Sequence, residues 1–383
     1  MDRRSDGGGV RRWVRTWLRD EPCNRSRHSA PLFIPFAMET QRLRRLESHV
    51  CAEAVCVMSS TGGSARGSPI EVFDPHFHIW DTLRYADPVT CFIPTGAATE
   101  GVYDAADFEK DWRALPCGFV HTGGVFVEAI SCCYKDMSAA ELAPYCLKEA
   151  EWVSAQLAAT DKEYYLAPTA CLEDPAVETI LQQLARDPAV KAIRQALNVA
   201  PDWPRNGENG LGELLDNPQF VRGYAQLAKF GLGFEMQLNP HQYLKGAELA
   251  ASNPAVPVVI NHLGTPLLKD LKEDGGAVFW EGMTALAAAG DHVYIKISML
   301  GYIDPEWDRN PLVVDAVLRV IELFGAHRSF FASNYPVDNL GDGYGHWTPD
   351  RLYPAFLNVV KDVYDENTIR DLFAGNVRKA YRV

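Results

Sequence analysis

The run FDPHFHIWDT, residues 73–82, carries two histidines one residue apart. On a β-strand side chains alternate, so His76 and His78 point to the same side. A third histidine, His262, ends another apolar run, VVINHLGTP. Neutral imidazole is the commonest metal ligand. Three such ligands and a water make a hydrolytic site, in which the metal lowers the water pKa toward about 7 and polarises a carbonyl. The alternative is a set of histidines that bind substrate or a carboxylate with no metal.

Several other polar residues stand inside apolar runs. Glu128 ends VFVEAI, Arg194 lies in KAIRQAL, Glu235 and Gln237 share a face in GFEMQLN, and Lys296 and Ser298 share one in VYIKIS. A charge is costly to bury unless it is paired, so each of these needs a partner or a substrate. Arg194 can clamp a substrate carboxylate in a bidentate pair, or form a salt bridge with Glu128 inside the fold. Lys296 can equally point into the floor of the fold. Trp80 can pack on a substrate ring. In FFASNYPVDNL, Asn334 cannot take a proton at neutral pH. Asp338, four residues on, can serve as general base. His121, His292 and His327 come at or before the starts of runs and read as structural or solvated. His241 and His346 follow runs and read mainly as loop residues.

Eight short apolar runs follow one another from residue 71: EVFDPHFHIW, FVHTGGVFVEAI, EYYLAPTACL, VKAIRQALNV, GLGFEMQLN, AVPVVINHLG, HVYIKISML and RSFFASNYPVD. Helical patterns separate them. In DPAVETILQQLARD, for example, Val177, Ile180, Leu181 and Leu184 share one face. Strand–helix alternation implies a parallel sheet, and eight units predict an α/β fold of the (β/α)8 TIM-barrel type. An open doubly wound sheet is the runner-up, weakened because no G-x-G-x-x-G follows the first strand. In a barrel the site lies at the C-terminal ends of the strands, where His76, His78 and His262 fall. The long stretch between the first two runs predicts an extended loop over that mouth.

Residues 1–70 differ from the rest. They carry 12 Arg, no Lys and 7 acidic side chains, a net +5, against −18 for residues 71–383. MSSTGGSARGSP reads as a flexible linker. The predicted organisation is a flexible extension over 1–70 and a barrel over 71–383. The location is cytoplasmic, or an organelle if residues 1–57 are a targeting segment; Asp2, Asp6, Asp20 and Glu21 are unusual in such a segment. The acidic body argues against nucleic acid. Nine scattered cysteines without C-x-x-C read as reduced thiols. No apolar run reaches the ~18–20 residues of a membrane span. The expected partner is a small-molecule substrate, and a homo-oligomer is compatible with the composition.

Taken together, FDPHFHIWD, INHLGTP, KIS, ASNYPVD and AGNVRKAYRV resemble the amidohydrolase-2 group of the amidohydrolase superfamily, nearest its sugar-lactone and dicarboxylate-lactone hydrolases. The resemblance runs over residues 71–383. It implies a (β/α)8 barrel that hydrolyses a lactone, less often an amide; a related branch contains metal-dependent decarboxylases. It implies that His76, His78 and His262 bind one divalent ion, zinc or manganese, or bind the substrate, since some lactonases of the family work without tightly bound metal. Many members have an acidic ligand and base where this chain has Asn334, which leaves that role to Asp338. The chain has no match near Arg194 for the lysine of two-metal members. Gln237 stands near the place of a histidine found in the decarboxylases, which favours a lactonase. The expected site is therefore His76, His78, His262 and Asp338 as catalytic residues, with Glu128, Arg194, Gln237, Trp80 and Asn334 binding the substrate. The alternatives are a decarboxylase, or a barrel that binds a ligand without turning it over.

Overall fold

The computed structural model describes residues 68–81, 101–130, 137–199, 213–340 and 345–383. The predicted extension, apart from its last three residues, and much of the long connection after the first strand lie outside them. So the expectations placed there meet no observation.

Each of the eight apolar runs forms a strand. These are β1 (Ile70–Phe77), β4 (Phe119–Val127), β5 (Glu163–Ala167), β6 (Ala192–Ala196), β7 (Gly233–Gln237), β8 (Val258–Ile260), β9 (Val293–Ile297) and β10 (Ser329–Phe331). Two short strands, β2 (Trp80–Asp81) and β3 (Val102–Tyr103), pair antiparallel beside β1. The eight main strands pair only in parallel, in two sheets of order β1-β4-β5 and β10-β9-β8-β7-β6. Isolated parallel bridges join the two sheets: Leu166 to Val190, Thr169 to Arg194, and Phe77 to Tyr335. The continuous pairing of a regular barrel is thus interrupted at two seams. Pro168 follows β5 and has no N–H for the ladder, although its carbonyl accepts from Arg194 N at 2.9 Å. At the other seam β10 has only three residues and β1 is irregular.

The helices carry the capping signals their sequences suggest. Asp104 with Asp107 forms a capping box on α1 (Ala105–Trp112), and Ser138 with Glu141 forms one on α2 (Ala139–Ala158). The predicted apolar face of α3 (Val177–Leu184) is buried at all four positions. Parallel strands are covered on both faces, which is why they read as near-continuous apolar runs. One face packs on the helices through residues such as Val72, Phe77 and Phe126. The other face gathers Phe73, Val125, Val127, Val259 and Phe330 with Val377 and Tyr381 of α4 (Asn376–Tyr381).

The irregularity in β1 decides where the histidines point. Asp74 pairs with Gly124 and Phe77 with Phe126, so β1 holds one residue more than β4 over that interval. The extra residue is a bulge at Pro75–His76, and a bulge shifts the alternation of side chains by one. Without it His76 would face the helices, on the side of Val72, and Phe77 would face the other way with Phe73. With it, Phe77 keeps the helix-facing side and His76 turns to the other. Asp74 secures the bulge: its carboxylate accepts from His76 N (3.3 Å), Ser333 N (2.9 Å) and Ser333 Oγ (2.5 Å).

Candidate active site

The three imidazoles converge. The ring centroids of His76 and His78 are 4.9 Å apart, and those of His76 and His262 are 4.4 Å apart. All three residues are buried. Nδ1 of His78 lies 2.8 Å from the Val127 carbonyl, and its Nε2 lies 3.2 Å from Oδ1 of Asn334. Nδ1 of His262 lies 2.9 Å from Ser298 Oγ. Nδ1 of His76 lies 3.2 Å from Nζ of Lys296. Nε2 of His76 is buried and has no hydrogen-bond partner among the described residues.

Strained loops deliver these groups. After β8, His262, Leu263, Gly264 and Thr265 have φ of 56°, 51°, 82° and 56°. Non-glycine residues in this left-handed region each cost about 1–3 kcal/mol, and persist where their surroundings over-determine them. Here Thr265 Oγ1 donates to the Leu238 carbonyl (2.5 Å) and accepts from Asn198 Nδ2 (3.1 Å), while Tyr243 OH donates to the Gly264 carbonyl (2.8 Å). A side chain at Gly264 would meet that tyrosine oxygen at 2.2 Å. Met299 after β9 and Asn334 after β10 also have φ near 55°, at 55° and 54°. Asn334 N donates to the His76 carbonyl (2.8 Å), and His78 N donates to the Tyr335 carbonyl (2.9 Å).

Asn334 and Asp338 meet directly: Nδ2 of Asn334 donates to Oδ1 of Asp338 at 2.6 Å. One carboxamide therefore separates His78 from a buried carboxyl group. Burial pushes the Asp338 pKa up to about 8, against the pull of the Asn334 hydrogen bond. Burial lowers the pKa of all three histidines, and that of His78 falls to about 4. The charges of Lys296 and Arg194 act in the same direction on His76 and His262. The cluster is neutral at pH 7.

This has a consequence for acid stability. The unfolded chain takes up a histidine proton near pH 6.5, before folded His78 does, so the contribution of neutral His78 is full above that pH and is lost as pH falls toward 4. At pH 5 the loss is about 2 kcal/mol, at ~1.4 kcal/mol per pH unit. Asp74 and Asp338, which burial raises to about 6 and about 8, pull the opposite way, so the effect is read as a difference. Between pH 7.5 and 5, the urea-unfolding free energy of the parent should fall by about 2 kcal/mol relative to that of His78→Gln.

The expected substrate-binding residues divide. Glu128, Arg194 and Gln237 form one buried group: Nη1 of Arg194 pairs with the Glu128 carboxylate and Nη2 with Oε1 of Gln237. Nε2 of Gln237 donates onward to Asn198 Oδ1 at 2.9 Å. The structure thus favours the salt-bridge reading of Arg194 over the carboxylate clamp, because both ends of the guanidinium fork are already engaged. Asn334 does lie in the cluster. Trp80 does not take the ring-packing position: it is fully buried in the helix-facing core with Tyr103, ring centroids 5.6 Å apart. A tryptophan next to a histidine motif looks exposed in sequence, but β2–β3 pairing turns it inward. His121 is structural as expected, stacked on Trp112 at 4.1 Å with its pKa lowered by burial to about 3. His241, His327 and His346 are exposed, and Nε2 of half-buried His292 lies 3.0 Å from the Ala250 carbonyl.

The three-imidazole metal centre does not fit this donor set. Metal-bound imidazole needs a lone pair aimed at the ion, and its other nitrogen usually donates to an acceptor. Neutral His78 has one N–H for two facing oxygens, so with Nδ1 donating to the Val127 carbonyl its Nε2 lone pair faces Asn334 Oδ1. The misfit lies at His76, whose Nδ1 faces an ammonium, and at the strand-ten position, which is a neutral amide. Among the described residues, no three His, Cys, Asp or Glu side chains are placed to hold a metal ion.

Sequence reasoning missed two supporting groups. Asp74 ties β1 to the loop after β10, and Glu149 of α2 accepts from Ala129 N at 3.0 Å just beyond Glu128. Asp74 had a signal in the proline that follows it. Glu149 had none, since an acid on an amphipathic helix reads as solvated.

Comparison with known proteins decides the family. The family model described as amidohydrolase matches residues 73–383. The chain belongs to the amidohydrolase-2 family. It is a hydrolase of that family. An uncharacterized protein of Sinorhizobium fredii, y4mH, is 26% identical over 82% of this amidohydrolase and 100% of its own length. The L-rhamnono-gamma-lactonase of Scheffersomyces stipitis is 25% identical over 44% of this chain and 55% of its own length. The match thus spans about half of that lactonase. Among solved structures, an amidohydrolase from Burkholderia multivorans with bound HEPES superposes with a TM-score of 0.61 at 17% identity, covering 82% of this chain and 99% of that one. The same Burkholderia protein with bound zinc gives 0.59 at 18% identity, with the same coverage. At these identities the structures share the fold. The described residues of this amidohydrolase include no helix long and apolar enough to cross a membrane.

Proposed function

We propose that the two sheets act as one closed (β/α)8 barrel and that the chain opens a small polar lactone at the C-terminal ends of its strands. The observation that carries this reading is the meeting of His78 and His262 with His76, each ring within 5 Å of the His76 ring, and His78 one carboxamide away from Asp338. The three bridges and the hydrogen bonds across both seams support closure. The lactonase name of one relative supports the substrate class. Asp338 takes a proton as a water oxygen adds to the lactone carbonyl carbon. The carbonyl oxygen becomes an oxyanion beside the imidazoles, where His76, whose Nε2 has no other partner among the described residues, stabilises it by hydrogen bonding. The ring C–O bond then breaks, and Asp338 returns its proton to the leaving oxygen, giving a hydroxy acid. Metal chemistry has no step here because the donor set does not fit an ion.

A panel of five- and six-membered sugar lactones, followed by acid release, tests the proposal. The parent should hydrolyse at least one, and His76→Ala should lower kcat/KM by about 10²–10³-fold, the cost of losing one oxyanion contact. Binding without turnover across the panel would instead point to a ligand-binding barrel, and CO2 release from an aromatic acid to a decarboxylase.

A further inference from the structure

The unpartnered Nε2 of His76 has its chemistry decided on the far side of the ring. Nζ of Lys296 lies 3.2 Å from His76 Nδ1, 2.8 Å from the Pro75 carbonyl, and 2.7 and 2.9 Å from the two carboxylate oxygens of Glu235. Lys296 and Glu235 are completely buried. An ammonium has three N–H donors and no acceptor. Two acceptors, a carbonyl and a carboxylate, and one ring nitrogen surround this one. The carboxylate is fixed in turn, since Tyr381 OH donates to its Oε1 and Asn261 Nδ2 to its Oε2. Burial holds the Lys296 pKa below the ordinary lysine value, and the adjoining Glu235 charge offsets only part of that fall. Beside the Glu235 carboxylate the ammonium is the favoured form, and an ammonium can only donate to Nδ1, whereas a neutral amine could accept from an Nδ1–H.

We propose that Lys296, clamped by Glu235, is a positioning residue that locks His76 in the tautomer with its proton on Nε2. The buried ring is then an N–H donor aimed at the substrate carbonyl oxygen and at the oxyanion formed when water adds. Its single lone pair is held by Lys296, so the same contact closes His76 to a divalent ion. The inference rests on the proposed hydrolysis for the identity of the acceptor, but the tautomer itself exists without substrate.

The test is spectroscopic and needs no turnover. The full chain is labelled with 15N-histidine, and long-range proton–nitrogen spectra are recorded at pH 7.5, with His76 assigned by its loss in His76→Gln. The expected result is a neutral ring protonated on Nε2. A ring protonated on Nδ1, or an imidazolium, overturns the proposal. Adding Zn2+ alone should leave the His76 Nε2–H signal in place; its disappearance on stoichiometric zinc binding overturns the second half. The double variant Lys296→Met/Glu235→Gln removes both charges together, so neither is left buried alone. In it His76 should move toward the Nδ1–H form, and an unchanged Nε2–H ring removes Lys296 from the role. If the double variant does not fold, the unsubstituted chain still decides the tautomer. A lactone panel with no activity, alongside an Nε2–H ring, refutes the hydrolase reading and leaves the tautomer assignment standing.

Discussion

Replacing Asp338 by asparagine should lower kcat/KM on an accepted lactone by about 10²–10⁴-fold, the usual cost of losing a positioned acid–base group. The substitution keeps the shape of the side chain and an atom able to bond Asn334, so the loss reads proton transfer rather than packing. The parent should also show a diagnostic pH profile. A base works when deprotonated, and burial raises the Asp338 pKa to about 8. The kcat/KM of the parent should therefore climb as pH rises toward about 8 and level off above it. A flat parent profile from pH 6 to 9, with Asp338→Asn within tenfold of it, would remove Asp338 from the chemistry.

Arg194→Met should destabilise the fold by about 3–5 kcal/mol, because it strands the Glu128 carboxylate in a buried site. Arg194→Met/Glu128→Gln removes both charges and should recover most of that loss. Urea unfolding at pH 7.5 measures both. A single variant within 1 kcal/mol of the parent would show that the pair is not the structural unit the geometry describes. The double variant also separates two roles: if it is stable yet its KM rises with kcat unchanged, Arg194 contributes to binding as well as to folding.

Much of the fold was legible because parallel strands are buried on both faces and leave apolar runs that need no alternation to be seen. The eight runs became the eight strands. His76, His78 and His262 were legible for the same reason, since an imidazole at the end of such a run stands out. Pro75 was harder to read. A proline inside a strand signals a disruption, but only pairing partners show that it adds a residue and reverses the facing of His76. The left-handed path from His262 to Thr265 was not legible either, because only one of its four residues is glycine and tertiary bonds hold the rest. Trp80 misled because its burial depends on β3, some twenty residues away. Lys296 and Glu235 were visible as charges in strands, but their partnership and its hold on His76 depend on how β7 and β9 sit across the fold from β1.

The seam between β1 and β10 is bonded by the very residues that form the site. His76, His78, Asp74, Ser333, Asn334 and Tyr335 carry the hydrogen bonds that cross it. Weakening that seam would therefore separate the imidazoles from the carboxyl group, so the proposed chemistry requires the edge to be closed.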